Sequence, residues 1–349
     1  MGKRANLSGV SFFAAQVFND DESTLNSATD ANKQIARGTH DENNPNQESH
    51  ERPADVDTDA RPDKKRKVGV LGAGWEKYDA TGLVPFYTHQ TQVPEHLQKY
   101  FGQRERFFSL YSSGCLLDEE GWYSVTPERV ANQIAERCRC DVILDAFCGV
   151  GGNAIAFART CERVIALDTS PVRLALARHN AVLYGVADRI EFVLADFLSF
   201  AHQLTQQQEL RSQSKSAENP NTAENVLADV KPQRLFDVIF LSPPWGGPSY
   251  LTDRDTAEEN ITESDASTQG APEYNLASIK PVHGRQLFSI ARRLTPNVAY
   301  YLPRNTKLDE IADLGKAETV EVEEEWMGSK LKALTCYFGG LVTGQEDRF

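Results

Sequence analysis

Residues 142–153 read Val-Ile-Leu-Asp-Ala-Phe-Cys-Gly-Val-Gly-Gly-Asn, and this stretch decides the fold class. Residues 142–144 predict a short buried strand, which leads into Asp145. The glycines that follow allow a tight turn through which the backbone can approach a ligand closely. A helix is predicted at 154–159, so the stretch is typical of the first strand, turn and helix of a ligand-binding α/β sheet.

Outward from this stretch, apolar strands alternate with helical segments along the chain. Strands are predicted at 142–144, 164–167, 190–194, 236–241, 298–302, 319–326 and 331–338, the last two as a hairpin. Helices are predicted at 154–159, 171–184 and 283–293, around 94–108, and from Thr126 as cap with Pro127 in the first turn. The alternation predicts a doubly wound α/β protein whose mostly parallel, seven-stranded sheet binds ligands at the carboxyl ends of its strands.

Composition divides the chain into three parts. Residues 1–74 are mostly polar, and we expect a disordered tail there. Residues 75–130 are rich in aromatic side chains and predict an ordered N-terminal extension that contributes to the ligand site. Residues 131–342 form the predicted catalytic domain, with polar surface insertions at about 203–232 and 251–274.

The negative charge of the chain is concentrated in two segments. The formal net charge is −13, of which residues 17–60 contribute −8 and residues 251–274 contribute −6. The remainder is nearly neutral, which argues against a protein that grips long stretches of duplex nucleic acid. A small or terminal feature of a nucleic acid stays possible as a ligand.

Neither a metal site nor a membrane segment is expected. The six cysteines form no Cys-x-x-Cys pair, and the seven histidines do not cluster with them. No apolar run is long enough to cross a bilayer, and no signal-peptide core follows Met1. We therefore expect a soluble intracellular protein with reduced thiols.

The tail contains four consecutive basic residues, Lys64-Lys65-Arg66-Lys67, close to Pro62. Such a cluster on a flexible tail is typical of a nuclear-import signal, and a solvated charge run is the alternative. We expect a nuclear or nucleolar protein whose tail is also available to protein partners.

An aspartate follows each of the first three strands: Asp145, Asp168 and Asp196. A dinucleotide-binding turn needs amide groups and room for a pyrophosphate, whereas S-adenosylmethionine carries cationic groups that suit an acid at the turn. Nicotinamide enzymes share the second acid, so only the set favours a class I S-adenosylmethionine-dependent methyltransferase. The candidate cofactor-binding residues are Phe108, Thr126, Asp145, Phe147, Gly149, Asn153, Asp168 and Asp196.

The fourth strand leads into Ser242-Pro243-Pro244-Trp245-Gly246-Gly247. An exocyclic base amine is a poor nucleophile, and two prolines hold a rigid turn whose carbonyls can accept the protons of the amine. An adjacent tryptophan can stack on the base. Ser242, Pro243, Pro244 and Trp245 are therefore the candidate catalytic residues, and they act mainly by positioning the amine.

These motifs together resemble the trimethylguanosine synthase family, which are RNA cap guanine-N2 methyltransferases. The resemblance covers roughly residues 93–342 without the insertions, and the insertions depart from the family pattern. It rests on Lys99-Tyr100-Phe101, Phe107-Phe108-Ser109, 120–128, 145–153, 242–247 and Leu302-Pro303-Arg304-Asn305. It implies that S-adenosylmethionine is the cofactor and that 7-methylguanosine-capped small nuclear and nucleolar RNAs are substrates, converted to 2,2,7-trimethylguanosine.

The resemblance also implies roles for individual residues. The three acids bind the cofactor, and Phe108 helps to close its pocket. Trp245 stacks on the methylated guanine, with Asn180 and Ser242 beside the base. The cap-binding candidates are Lys99, Asn180, Trp245, Tyr250, Arg304, Lys330 and Lys332, of which either Lys330 or Lys332 holds the triphosphate.

Two alternatives remain at this point. One is an adenine-N6 or glutamine methyltransferase, because those enzymes also use a Pro-Pro-aromatic loop. The other is a catalytically silent cap-binding module, which the three intact acids argue against.

Overall fold

The core of the protein is a seven-stranded sheet in the order β3-β2-β1-β4-β5-β7-β6. The strands are β1 Val142–Asp145, β2 Arg163–Asp168, β3 Ile190–Leu194, β4 Val238–Leu241, β5 Val298–Pro303, β6 Glu321–Met327 and β7 Lys330–Phe338. The first five run parallel, and β7 pairs antiparallel with both β5 and β6. Strand order reverses at β1, whose neighbours are β2 and β4, so the ligand crevice is expected where β1 and β4 end.

The computed structural model describes residues 69–217, 235–246, 273–316 and 318–344. Its α-helices in these ranges are α1 Gln98–Phe101, α2 Arg104–Phe107, α3 Gly121–Ser124, α4 Glu128–Arg137, α5 Gly152–Thr160, α6 Pro171–Leu183, α7 Phe197–Ala217, α8 Gly284–Leu294 and α9 Leu308–Gly315. Helix α4 packs on α5, and α7 packs on α8. None of these helices is both long and apolar enough to span a membrane.

The predicted sheet is confirmed, with differences of a few residues at the strand ends. Helix α6 begins as predicted: Pro171 occupies its first position, and the Ser170 hydroxyl accepts a hydrogen bond from the amide of Arg173 at 3.3 Å. The predicted cap at Thr126 is wrong by one residue, because α4 begins at Glu128 with Pro127 in the cap position.

The described structure reaches into both segments that were predicted as insertions. Helix α7 continues to Ala217, well into the segment 203–232, because residues such as Ala201 and Leu204 anchor its first turns in the core. Tyr274 is buried, and its amide donates to the Asn305 carbonyl at 2.8 Å, so ordered chain resumes before the predicted end of the second insertion. The predicted tail before residue 69, including its basic cluster, and residues 218–234 and 247–272 lie outside the described residues.

The N-terminal extension is held on α6 by two fully buried polar side chains. The Asn180 amide accepts from the Leu116 N–H at 2.8 Å and donates to the carbonyls of Leu116 and Val150 at 2.9 and 3.0 Å. His179 accepts from the Ala80 N–H at 3.2 Å through Nδ1 and contacts the Gly114 carbonyl at 3.0 Å through Nε2. Burial lowers the pKa of His179, which favours the neutral ring that this pattern requires.

The Asn180 bonds predict a large stability effect. Asn180→Ala leaves one backbone donor and two carbonyls without their partner in a buried place, and each such loss costs about 1–3 kcal/mol. We expect the free energy of unfolding to fall by about 2–5 kcal/mol in urea titrations. Asn132→Ala is the matched control on α4, since its side chain forms no hydrogen bond with the described residues, and its effect should stay within about 0.5 kcal/mol. Equal stabilities of the two variants would contradict the role of Asn180.

Candidate active site

A cavity of about 620 Å³ opens where β1 and β4 end. This volume is within the range of small-molecule and cofactor sites. Its lining includes parts of the glycine-rich turn (146–150, 152 and 153), the ends of β2 and β3 (168, 169 and 195–197), the loop after β4 (242–245) and the extension (99, 100, 103, 107 and 123–127). Segments far apart in sequence therefore share one crevice.

The glycine-rich turn forms one wall of this cavity. Gly149 and Gly151 have φ values of +52° and +91°, in the left-handed region that side chains disfavour. A Cβ at Gly151 would lie 3.0 Å from the Cβ of Ala177, so this glycine also allows the turn to pack against α6. The Gly149 amide donates to Asp168 Oδ2 at 3.0 Å, which ties the turn to the end of β2.

Asp168 and Asp196 present their carboxylates at adjacent strand ends of the cavity. Burial raises the pKa of Asp168, against hydrogen bonds from the amides of Ser170 and Gly149. Asp196 accepts from the amide and the hydroxyl of Ser199 through the same oxygen, at 2.9 and 3.0 Å. Each acid retains capacity to accept bonds from a ligand, since a carboxylate has about four lone-pair sites.

Asp145 departs from the prediction, because it does not line the cavity. The residue is fully buried behind the turn; its Oδ1 accepts from the Phe147 amide at 3.4 Å, and its Oδ2 has no hydrogen-bond partner among the described residues. Burial, with a smaller contribution from the charge of Asp168, raises the pKa of Asp145 to about 7. A cationic ligand in the cavity would favour the charged form of this carboxyl.

Thr126, Phe147 and Asn153 all line the cavity, as predicted for the cofactor site. Asn153 Nδ2 donates to Thr126 Oγ1 at 2.9 Å, while Asn153 Oδ1 has no partner among the described residues. A buried polar atom of this kind is usually paired, so a ligand donor is the expected partner. The Phe147 ring lies 6.0 Å from that of Phe197 and adds an apolar surface.

The loop after β4 forms the opposite wall. The Ser242 hydroxyl donates to the Phe147 carbonyl at 3.3 Å, which joins this loop to the glycine-rich turn. The Pro244 carbonyl accepts from the Lys280 amide at 3.4 Å, whereas the carbonyls of Ser242 and Pro243 accept no hydrogen bond from the described residues. Two carbonyls therefore remain able to accept protons from a ligand.

Trp245 is supported from behind by an aromatic stack. Its ring centroid lies 5.0 Å from that of Tyr301, which lies 6.3 Å from that of Phe240 in β4. The Tyr274 hydroxyl donates to the Trp245 carbonyl at 3.2 Å. The indole is half-buried and lines the cavity.

The structure places only some of the predicted cap-binding cations at the cavity. Lys99, Arg304 and Lys332 line the cavity, but Lys330 does not. Burial lowers the pKa of Lys332, and the charges of nearby basic side chains lower it further. Tyr250 lies outside the described residues.

Two predicted site residues have other positions. Asn180 is wrong as a base contact in this structure, because its side chain is fully buried and its polar atoms bind Leu116 and Val150. Phe108 is buried and does not line the cavity; its neighbour Phe107 does. Both side chains pack into the protein interior.

The sequence analysis did not name all of the lining residues, and Arg173, Lys280 and Tyr301 are among those it missed. Arg173 forms salt bridges with Asp118 at 2.9 Å and with Glu120, and these acids keep its pKa raised although burial lowers it. Its position five residues after Asp168, on the first turns of α6, was an available signal. Lys280 and Tyr301 carried no local signal, since only the packing of distant segments brings them to the cavity.

All six cysteines are free thiols. Within the described ranges, no group of three His, Cys, Asp or Glu side chains is arranged to hold a metal ion.

One family model and two curated relatives point to the same family. A family model described as RNA cap guanine-N2 methyltransferase matches residues 140–341. The trimethylguanosine synthase of Schizosaccharomyces pombe is 33% identical over 252 residues, which cover 70% of this chain and 87% of that protein. The trimethylguanosine synthase of Saccharomyces cerevisiae is 30% identical over 258 residues, covering 70% and 67%. A solved methyltransferase structure from Porphyromonas gingivalis W83 has a TM-score of 0.44 and 11% identity, over 70% of this chain and 51% of that one.

Asp145 predicts a pH-dependent stability. The pKa of Asp145 is about 7 in the folded protein and near 3.9 in an unfolded chain, so the folded state binds the proton more tightly. The resulting stabilisation of the folded state is fully present below about pH 4 and is lost as the pH rises to about 7. Relative to wild type, Asp145→Asn should therefore become more stable by about 1.4 kcal/mol per pH unit across roughly pH 4–7. Urea denaturation of both proteins at several pH values, without ligand, measures this difference. A difference that stays constant over the window would show that Asp145 has an ordinary pKa.

Proposed function

Because this chain belongs to the RNA cap guanine-N2 methyltransferase family, we propose that its cavity holds S-adenosylmethionine beside the ends of β1, β2 and β3 and the guanine of a 7-methylguanosine cap against Trp245. The enzyme is an S-adenosylmethionine-dependent methyltransferase that acts on capped RNA. The adenine-N6, glutamine and silent-module alternatives are not favoured, since the family match covers residues 140–341. The assignment of the site rests on one observation: the glycine-rich turn, the acids after β2 and β3, and the Trp245 loop line the same cavity.

The residues of the first wall fit the cofactor. S-adenosylmethionine supplies a methyl group activated by a sulfonium. We assign Asp168 to the ribose hydroxyls and Asp196 to the adenine amine, since both line the cavity at the ends of neighbouring strands. Asn153 Oδ1 offers a further acceptor. Asp145 is fully buried, so we assign it charge stabilisation of the cationic cofactor instead of direct contact.

The residues of the second wall fit the guanine and its 2-amino group. Trp245 supplies a π-face that Tyr301 and Tyr274 hold in position. The unpaired carbonyls of Ser242 and Pro243 are available to accept the protons of the amine and so to align its lone pair with the methyl group. The described loop residues 242–245 include no strong base, so we expect the chain to act mainly by positioning the amine and excluding water.

The mouth of the cavity fits the triphosphate of the cap. Lys99, Arg304 and Lys332 line it, and we assign the triphosphate to Lys332 in preference to Lys330 because only Lys332 lines the cavity. Tyr250 stays a prediction, since it is outside the described residues.

The finer identity of the substrate is also a proposal. Small nuclear and small nucleolar RNAs are the proposed substrates, with two methyl groups added in succession to give 2,2,7-trimethylguanosine. The support is the name of the two similar yeast proteins, trimethylguanosine synthase. Nuclear or nucleolar localisation and protein partners bound by the N-terminal tail are proposed from the sequence of the tail.

Methylation of the cap should depend on Trp245 and on the charge of the guanine. A cation over an indole gains about 0.5–2 kcal/mol, which is at most about 30-fold in affinity. We expect wild type to methylate a 7-methylguanosine cap dinucleotide and to act poorly on the unmethylated cap, whose weakly bound base is also misplaced. Trp245→Ala should lose most activity, and Trp245→Phe should keep part of it. Mass analysis of the products measures this.

Two controls make this test specific. Trp326→Ala removes an exposed tryptophan that does not line the cavity and should retain full activity. Binding of S-adenosylmethionine, measured by calorimetry, should survive in all three variants because Asp168 and Asp196 are unchanged. Equal rates of wild type on methylated and unmethylated caps would overturn the cap assignment.

The basic cluster at 64–67 predicts nuclear accumulation of a tagged protein. Changing Lys64, Lys65, Arg66 and Lys67 to Ala should lower the ratio of nuclear to cytoplasmic fluorescence, because the import signal depends on these charges. Lys33→Ala with Arg37→Ala, elsewhere in the tail, is the control and should leave the ratio unchanged. Nuclear accumulation that persists in the quadruple variant would refute the assignment.

A further inference from the structure

Six basic side chains either line the cavity or lie near a lining lysine, Lys332. We call them the cation cluster: Lys99, Arg106, Lys280, Arg304, Lys330 and Lys332. None of the six forms a salt bridge with the described residues, whereas nine other arginine and lysine side chains there do. The chain as a whole has a net charge of −13, so an unneutralised cluster of cations is a local exception. Such a cluster is the electrostatic footprint of a polyanion.

The cluster extends beyond the cavity itself. Lys99, Lys280, Arg304 and Lys332 line the cavity. Arg106 is exposed on α2, between Gln103 and Phe107, which both line it.

Lys330 lies two residues before Lys332 on β7 and directly precedes Leu331, which lines the cavity. The charges of Lys330, Arg304 and Arg106 all lower the pKa of Lys332, after burial as the main cause. Arg106 and Lys330 are thus near Lys332 but outside the lining.

The number of charges exceeds what the triphosphate of a cap needs. Each of the three phosphates of that bridge carries one negative charge, so Lys99, Arg304 and Lys332 already match it in number, and Lys280 is a fourth lining cation. Arg106 and Lys330 remain, and both are exposed. In a capped RNA, the next negative groups after the triphosphate are the phosphodiesters of the first transcribed nucleotides.

We propose that Arg106 and Lys330 form a second binding site, which holds the phosphodiester backbone of the RNA that follows the cap. The proposal rests on the proposed function, because it takes capped RNA as the substrate. The two side chains come from the N-terminal extension and from the β6–β7 hairpin, so the RNA contacts both elements as it leaves the cavity. Contacts of this kind fix the position of the RNA but do not read its sequence.

The test compares two substrates that share the cap and differ in RNA length. One is a 7-methylguanosine cap dinucleotide, and the other is a capped RNA of about ten nucleotides, long enough to reach past the cavity. Initial rates are measured over a series of salt concentrations for wild type, for Arg106→Ala with Lys330→Ala, and for Arg129→Ala. Arg129 is the matched control, since it is exposed, forms no salt bridge with the described residues and does not line the cavity.

Wild type should have a lower KM for the capped RNA than for the dinucleotide. The double variant should raise the KM for the capped RNA by about 2- to 30-fold and leave its kcat unchanged. For the double variant, the slope of log KM against log salt concentration should decrease by about 1.4, because each lost phosphate contact with a single strand lowers it by about 0.7. The double variant should have the wild-type KM for the dinucleotide. Arg129→Ala should have the wild-type KM for both substrates.

The outcomes separate this proposal from the proposed function. Equal wild-type KM values for the two substrates, or equal changes on both in the double variant, would overturn the second binding site while leaving cap methylation intact. Failure of wild type to methylate either substrate would overturn the proposed function, and the second site with it.

Discussion

The parallel pairing of β1 with β4 is the constraint on which the active site depends. Asp145 is in register with Phe240, so the turn after β1 and the loop after β4 begin side by side although about ninety residues separate them in sequence. The bond from the Ser242 hydroxyl to the Phe147 carbonyl joins the two loops directly. Since ligands of doubly wound sheets bind where the strand order reverses, this pairing brings together the two loops to which the proposed function assigns the methyl donor and the base amine.

The N-terminal extension depends on a different kind of interaction. Asn180 and His179 satisfy backbone groups at Leu116, Gly114 and Ala80 inside the protein, where water cannot replace them. A buried donor or acceptor without a partner is costly, so these bonds specify one position for the extension. That position brings Lys99 and Phe107 to the cavity. The position of the extension at the cavity therefore depends on α6, whose Asn180 also binds the carbonyl of Val150 in the glycine-rich turn.

Both acidic and basic side chains line the cavity. Acidic side chains, among them Asp168 and Asp196, lie at the ends of the parallel strands, while the cation cluster surrounds the mouth. In the proposed function, the acids receive the cationic cofactor and the cation cluster receives the anionic cap, without a net positive charge on the protein. This local separation explains how a chain with a formal charge of −13 can act on RNA, because attraction over a few ångströms depends on nearby charges and is screened over longer distances.

The sequence by itself determined the seven strands, their mostly parallel arrangement, the acid-bearing strand ends and the Trp245 loop, because hydrophobic period, glycine turns and proline turns are local properties. The resemblance to a known family followed from the same local motifs. Only the tertiary structure decided that Asn180 and Phe108 are buried away from the cavity, that Asp145 lies behind the turn, and that Lys280 and Tyr301 reach the site. The physical reason is that the exposure of a side chain and its neighbours across the sheet depend on how distant segments pack, and no local pattern contains that information.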